Sequence, residues 1–375
     1  MDTVSAHSMK QVGAPLLVAL LLLASSSRPS AQRAAVDVEQ LAANGAMAIR
    51  EQRYADALEM YSAAAKQRPA EPIIWFGAGL SAYMLGRDAV AEPSLVTALR
   101  LNPRLTDASL LLGDLQYRGG RVQDAIETYE AAAKHSPRAR GLNEKLEAWR
   151  REAGFADRLY EFRGAHFRVL FDGPKNDALA RRAVEVLEAA YWRVGQRLTA
   201  YPAQSITVVL YTLRQFRDIT RAPEWAGGAY DGRIHIAVGG ALERPEDLER
   251  VLAHEFTHAV VAMLGGRNVP QWLNEGLATT LEPGGDDWTR EVLEAVPARL
   301  QLTDLHGGFG GLTGINVHVA YAQSAAAVKR LIELRGPSGV VALLNDLQNG
   351  VPFDTAFQQR MALRYEEFQT MMSRR

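Results

Sequence analysis

Apolar residues in the first half of the chain follow a helical spacing, and this pattern repeats every 34 residues between positions 38 and 152. Each copy carries small, bulky and helix-ending residues in the same phase, as expected for two packed helices closed by proline. The amphipathic stretch GLNEKLEAWRREA follows the third copy and would cap the array. The sequence predicts three repeats and a capping helix over 38–152, with these in-phase positions: Gly45, Gly79 and Gly113; Ala57, Ala91 and Ala125; Tyr61, Leu95 and Tyr129; Ala64, Ala98 and Ala132; Pro69, Pro103 and Pro137.

The pattern changes near residue 160, where short alternating stretches begin to separate longer helical ones. The alternation predicts strands in HFRVLFDG, SITVVLYT and GAYDGRIHIAVGG. Further helices are predicted in NDALARRAVEVLEAAYWRVGQRL, from about 245 to 264, from Pro270 to Pro283, from near Tyr321 to Gly336, and two or three in the last segment. The expected fold is therefore an α-helical solenoid followed by an α+β domain over 160–372.

The beginning of the chain has the three-part pattern of a secretory signal peptide. Lys10 precedes an apolar run over residues 14–24, and SSSRPSAQ follows it, so a signal peptide is predicted over 1–31. Because eleven apolar residues are too few to cross a bilayer comfortably, no stable span is expected after cleavage, and an uncleaved anchor is the alternative. The chain has no cysteine, which excludes a lipidated lipoprotein. The prediction is a periplasmic or secreted protein.

The charge of the chain narrows the range of partners. It has 42 basic and 43 acidic residues with no basic cluster, so nothing indicates binding to nucleic acid or to an anionic membrane surface. The partners expected are instead peptides or proteins.

The stretch LERVLAHEFTHAVV carries the main candidate chemistry. His254 and His258 are four residues apart on a predicted helix, so both imidazoles face one side and can reach a single metal ion, with Glu255 beside the open position as a base. Glu275 on the next predicted helix supplies a third ligand, and two histidines with one glutamate form a catalytic zinc set. Glu282 is the alternative third ligand, but it lies seven residues after Glu275, roughly 10 Å further along the helix axis, so only one of the two can bind the ion. One zinc ion per chain is predicted.

Three further residues outside this stretch bear on catalysis. Zinc-assisted peptide hydrolysis creates an oxyanion, and a downstream Tyr or His commonly stabilises it, so Tyr321 is the candidate and His318 stays open as an alternative. His235 is interpreted as a solvated residue on the outer face of an edge strand. That edge strand, next to the zinc, is expected to pair with the backbone of an extended substrate.

These motifs resemble known families. The 34-residue copies resemble tetratricopeptide repeats. HEFTH followed by NEGLA is similar to the gluzincin group of metallopeptidases, and residues 160–370 resemble the peptidase MA-like domain that often follows such repeats. The resemblance implies that His254, His258 and Glu275 bind zinc and that Glu255 is the base. It rests on these segments: HFRVLFDG, VVLYTLRQFRDIT, WAGGAYDGRIHIAV, LERVLAHEFTHAVV, VPQWLNEGLATTLE and AYAQSAAAVKRLIE.

The sequence as a whole predicts a zinc-dependent peptidase or endopeptidase that hydrolyses peptide bonds with zinc-activated water. The repeats either recruit substrate or a protein partner, or serve as a spacer that holds the catalytic domain. The alternative is a non-catalytic interaction scaffold with a vestigial peptidase domain. Glu255 argues against it, because a scaffold has no use for a base.

Overall fold

The repeated first half of the chain folds into seven consecutive helices. The computed structural model describes residues 29–222, 226–239 and 244–373, so most of the predicted signal peptide lies outside the described residues. Successive helices pack on one another and form two buried clusters that run the length of the array. The helices are α1 (Pro29–Arg50), α2 (Tyr54–Gln67), α3 (Pro72–Met84), α4 (Asp88–Leu101), α5 (Thr106–Arg118), α6 (Val122–Ala133) and α7 (Leu142–Ala153).

The in-phase glycines of the repeats face the in-phase bulky residues. A Cβ atom added at Gly113 would lie 2.4 Å from the ring of Tyr129, and one at Gly45 would lie 2.8 Å from the ring of Tyr61. Gly79 has the same relation to Leu95, also at 2.8 Å. Real Cβ atoms do not approach other atoms so closely, so glycine at this position lets the paired helices come together. The 34-residue period therefore reflects one repeated packing contact.

A five-stranded sheet begins the second domain, in the order β1-β2-β3-β5-β4. The three central strands, β2, β3 and β5, run parallel. At the two edges, β1 pairs antiparallel with β2 and β4 pairs antiparallel with β5. One face packs on α8 (Asp177–Leu198), and the other packs on α9 (Leu213–Thr220). The strands are β1 (Leu159–Arg163), β2 (Phe167–Asp172), β3 (Ile206–Tyr211), β4 (Gly228–Tyr230) and β5 (Ile234–Ala237).

The predicted strand in GAYDGRIHIAVGG is wrong as a single element, because it forms the β4–β5 hairpin. The chain reverses at Asp231 and Gly232, where Gly232 has φ +112° and the Asp231 amide donates to the Arg233 carbonyl (3.2 Å). Only glycine adopts such a backbone readily. The strand that carries His235 is consequently internal, and β4 is the edge strand. Strand β1 and helix α9 were not predicted.

Helices complete the second domain. Glycine breaks the long α13 at Gly336 (φ +68°), as predicted, but the helix begins at Ile315 rather than near Tyr321 because Gly314 with φ +58° turns the chain just before it. Gly276 lets α11 (Gln271–Leu281) pack closely on α13, since a Cβ atom at Gly276 would lie 2.3 Å from the Ser324 carbonyl oxygen. The helices are α10 (Pro245–Gly265), α11 (Gln271–Leu281), α12 (Gly285–Ala295), α13 (Ile315–Gln348), α14 (Phe353–Met361) and α15 (Tyr365–Ser373).

Within residues 29–222, 226–239 and 244–373, none of the helices combines the length and the apolar character needed to cross a bilayer.

Candidate metal centre

Helix α10 presents both histidines of the HEFTH stretch to one side. Its start is favoured by Pro245 at the first position and by Glu246 and Asp247 in the first turn, where acidic side chains complement the helix dipole. One turn separates His254 from His258, and their ring centroids lie 4.8 Å apart at an interplanar angle of 82°. The two Nε2 atoms therefore point toward a common volume.

Helix α11 brings Glu275 to the same volume. The chain leaves α10 at Gly266 with φ +66° and turns back, and α11 then starts after Pro270. The Oε2 atom of Glu275 lies 3.2 Å from Nε2 of His254 and 3.4 Å from Nε2 of His258. These side chains form a group able to hold a metal, with ligand atoms within 4.8 Å of one another. Ligands about 2.0–2.1 Å from a tetrahedral zinc lie roughly 3.3 Å apart, so the two distances to Glu275 suit that ion.

Two further side chains fix the orientation of the imidazoles. Nδ1 of His254 lies 2.7 Å from Oε2 of Glu282, and Nδ1 of His258 lies 2.9 Å from Oδ1 of Asn274. Because each Nδ1 has an acceptor, the proton of a neutral imidazole lies on Nδ1, and Nε2 is then the nitrogen that can bind a metal. Sequence reasoning treated Glu282 only as a rival to Glu275 and did not consider Asn274. In the structure Glu282 contacts the opposite nitrogen of His254 and also accepts from Trp288 Nε1 (2.9 Å).

The carboxylate of Glu255 is buried between α10 and the edge strand β4. A Cβ atom added at Gly228 would lie 2.7 Å from Oε1 and 2.6 Å from Cγ of Glu255, so glycine at this point of β4 makes room for the side chain. The residue is 6% exposed. Gly228 is therefore a second position that sequence reasoning missed.

The two candidates for the oxyanion donor lie on α13, and the structure separates them. The ring of Tyr321 is partly buried, with its centroid 6.1 Å from that of His254. His318 is exposed. Burial, followed by the charges of the nearby glutamates, raises the pKa of Tyr321 well above its ordinary value, so the hydroxyl keeps its proton.

The interpretation of His235 as a solvated residue is wrong. The side chain is 1% exposed, Nε2 lies 3.0 Å from Oδ1 of Asp231, and the ring is nearly parallel to those of Tyr117 in the repeats and Tyr211 in β3, with centroids 6.3 and 5.7 Å away. The first half of the chain covers this face of the sheet, and no local pattern in the sequence indicates that cover. The metal group described above does not include His235.

Burial and charge act against each other at this site. Burial is the largest effect on Glu255 and raises the pKa of its carboxyl, despite the charges of His258 and His254. Burial also opposes ionisation of Glu275, but the same two imidazoles outweigh it and hold the pKa of that carboxyl well below its usual range. For His254, burial lowers the pKa, and hydrogen bonds to Glu275 and Glu282 outweigh this and raise it to about 10. The cluster thus favours an ionised Glu275 with a cation beside it.

Comparison with known families identifies both regions of the chain. Residues 188–371 match the sequence model of the Peptidase MA superfamily, and residues 42–96 and 89–140 match a tetratricopeptide repeat model. The chain therefore carries a Peptidase MA superfamily domain preceded by tetratricopeptide repeats. It combines a helical repeat region with an α+β domain, as the sequence predicts.

Individual relatives match the repeats. The small glutamine-rich tetratricopeptide repeat-containing protein 2 of Mycosarcoma maydis is 27% identical over 110 residues, which are 29% of this chain and 31% of that protein. The chain thus spans less than a third of the length of that curated relative. A solved structure of the first TPR of Spaghetti (RPAP3) bound to the HSP90 peptide SRMEEVD shares 21% identity and covers 33% of this chain and 97% of that one, with a TM-score of 0.30. A TM-score of 0.30 is too low to show that the two chains share a fold.

Proposed function

We propose that this protein is a zinc-dependent peptidase whose ligands are His254, His258 and Glu275. One observation carries the proposal. Oε2 of Glu275 lies 3.2 Å from Nε2 of His254 and 3.4 Å from Nε2 of His258, and Glu255 is on the same helix, α10, as the two histidines. Two imidazoles and one carboxylate leave a fourth position for water or substrate, which is the composition of a catalytic zinc site. The match to the Peptidase MA superfamily supports the same class of reaction.

The side chains of the site have separate tasks in this proposal. When bound, zinc supplies a Lewis acid that polarises the scissile carbonyl and makes a water molecule acidic near neutral pH. Glu255 accepts a proton from the attacking water at its buried carboxylate and passes it to the leaving amine. The hydroxyl of Tyr321 donates a hydrogen bond to the developing oxyanion. Gly228 leaves room for the Glu255 side chain beside the edge strand, because a Cβ atom there would lie 2.7 Å from Oε1.

The proposal extends to location and partners. The signal-peptide pattern in residues 1–31 supports export to the periplasm or the exterior. The tetratricopeptide repeats support a protein partner or a recruited protein substrate, because stacked repeats present extended binding surfaces. A non-catalytic scaffold with a vestigial peptidase domain is the competing function, and the buried Glu255 next to the ligand set counts against it.

Metal content tests the proposal. Elemental analysis of freshly purified protein, and of protein reloaded with zinc and desalted, is expected to give one zinc per chain. Folded protein that binds no zinc after reloading would remove the basis for the proposal. Substitution of both His254 and His258 by alanine gives the matched blank.

Glu282 gives a sharper test of how the site is built. The substitution Glu282→Gln removes the charge that holds Nδ1–H of His254, and loss of such a partner typically weakens metal affinity by about 10–100-fold. A competition titration with a chelator of known zinc affinity measures the change. An unchanged affinity in Glu282→Gln would mean that this contact does not orient the ligand.

A further inference from the structure

The turn of the β4–β5 hairpin lies against the repeat array. Arg233 on this turn pairs with Glu152 of α7 through Nη2 and Oε1 at 2.7 Å, and both residues are 4% exposed. The hydroxyl of Tyr117, from α5, donates to the other oxygen of Glu152 at 2.6 Å. The Arg233 guanidinium also lies over the Tyr117 ring, 4.2 Å from its centroid. Residues that are far apart in sequence thus form one buried polar link between the two domains.

The same turn makes further close contacts with α5. A Cβ atom added at Gly232 would lie 2.6 Å from Cβ of Arg118, so the backbone of the turn rests directly on that side chain. The Arg118 guanidinium lies 5.9 Å from the ring centroid of Tyr230 in β4. His235 in β5 stacks on Tyr117 with an interplanar angle of 2°. The hairpin is therefore held on both of its strands.

The other end of β4 touches the candidate base. Gly228, the first residue of the strand, is packed against the side chain of Glu255. It lies four residues before the turn at Gly232, a distance of roughly 13 Å in extended backbone. Because β4 is only three residues long and pairs with β5, we expect a shift of the turn at Arg233 to displace Gly228 as well. The position of the hairpin and the room available to Glu255 are linked.

A second contact anchors the array beside the metal group. Arg267 follows α10 and forms two hydrogen bonds with the carboxylate of Asp88, at 2.7 and 2.9 Å, and one with the Tyr83 carbonyl at 2.7 Å. Gly266 packs on the Leu85 carbonyl, where an added Cβ would lie 3.1 Å from the oxygen. The repeats thus contact both elements that frame the site, the edge strand and the end of the histidine helix.

We infer that the repeat array is a positioning element for the proposed catalytic site, in which Glu152 and Tyr117 hold β4 beside Glu255 through Arg233. The inference rests on the proposed function for its catalytic consequence. It also means that the face formed by α5 and α7 around these residues is occupied by the chain's own hairpin. A recruited protein partner would have to bind elsewhere on the repeats.

The buried link of Arg233, Glu152 and Tyr117 is better suited to fixing the position of the hairpin than to raising the stability of the fold. A buried ion pair gains little over apolar packing, because desolvation offsets most of the attraction. Its directional hydrogen bonds nevertheless fix one geometry, here with Tyr117 on one oxygen of Glu152 and Arg233 in reach of both. Loss of one partner leaves the other charge buried without compensation, which favours movement of the turn away from the array.

Hydrogen exchange measures this coupling without requiring activity. In zinc-loaded full-length protein, Glu152→Gln and Tyr117→Phe are each expected to speed amide exchange in residues 227–237 by about tenfold or more, since local openings replace a fixed hairpin. Asp346→Asn is the matched control, because it also removes a carboxylate from a partly buried pair with arginine, at 2.6 and 2.7 Å from Arg360, but far from the hairpin. Unchanged exchange in 227–237 for both array variants would overturn the inference.

Kinetics give the second readout. The array variants are expected to keep one zinc per chain and to lose kcat by about tenfold or more, as small displacements of reacting groups do. Asp346→Asn is expected to keep kcat. Array variants with wild-type kcat would contradict the catalytic role. If the wild-type protein cleaves nothing, the proposed function fails, and the exchange measurement still decides whether the array positions the hairpin. Tyr117→Phe, which keeps the Arg233–Glu152 pair, serves if Glu152→Gln does not fold.

Discussion

Replacement of Glu255 by glutamine is expected to reduce kcat for peptide hydrolysis by about 10²–10⁴-fold, the usual contribution of a general acid–base group. Glutamine keeps the shape of the side chain beside Gly228 but cannot accept the proton of the attacking water. Zinc content should stay at one ion per chain, because Glu255 is not among the residues whose atoms meet Nε2 of His254 and His258.

The control for this substitution lies on the same helix. Glu246 is exposed in the first turn of α10, so Glu246→Gln removes the same charge from the same element and should leave kcat unchanged. Activity of Glu255→Gln within a few-fold of wild type would show that another group is the base. Since Glu255→Gln should bind substrate without turning it over, proteins that co-purify with it, and not with wild type, are candidate substrates.

Replacement of Glu275 by glutamine is expected to weaken zinc binding by at least about a hundredfold, more than loss of a partner outside the ligand set. The substitution removes the only carboxylate whose oxygen approaches both Nε2 atoms within the described part of the chain. Because a ligand that binds the folded state raises its stability, the gain in Tm on adding a fixed concentration of zinc should also become smaller.

The order of three substitutions makes this prediction specific. Glu275→Gln should have the largest effect on zinc affinity, Glu282→Gln an intermediate one, and Glu294→Gln, which lies exposed on α12, none. A larger loss in Glu282→Gln than in Glu275→Gln would make Glu282 the ligand and contradict the assignment.

Sequence patterns gave most of what is local in this protein. Gly113 and Tyr129 each recur every 34 residues because they contact each other inside one repeat. The four-residue spacing of His254 and His258 is a property of one helix. Glu275 could be found because one short turn joins its helix to the histidine helix. In each case the interacting residues are close in the chain, so periodicity carries the information.

Around the site, the missed features depend on contacts between distant segments, with one exception. Burial of His235 and the link from Arg233 to Glu152 join residues about 80 positions or more apart, and no pattern in either segment indicates the other. The contact of Glu282 with His254 required the path of the chain after α11. The hairpin is the exception, since Asp231-Gly232 between alternating residues is a strong turn signal that could have divided the predicted strand.

These long-range contacts change the interpretation of the repeats. From the sequence, recruitment and a spacer role are equally reasonable readings of a tetratricopeptide array. The structure places part of the array, at α5 and α7, in contact with the hairpin that borders Glu255. On the inference drawn above, the repeats hold the geometry of the site in addition to any surface they offer to a partner.

Chelator-sensitive cleavage tests the central claim most directly. A mixture of synthetic peptides is incubated with wild-type protein as purified, after metal removal by a chelator, and after zinc is restored, and the products are identified by mass spectrometry. Zinc-dependent hydrolysis predicts cleavage that stops on chelation, returns with zinc, and is absent in Glu255→Gln. Folded, zinc-loaded wild-type protein that cleaves no peptide, or cleavage that persists without metal, would contradict it.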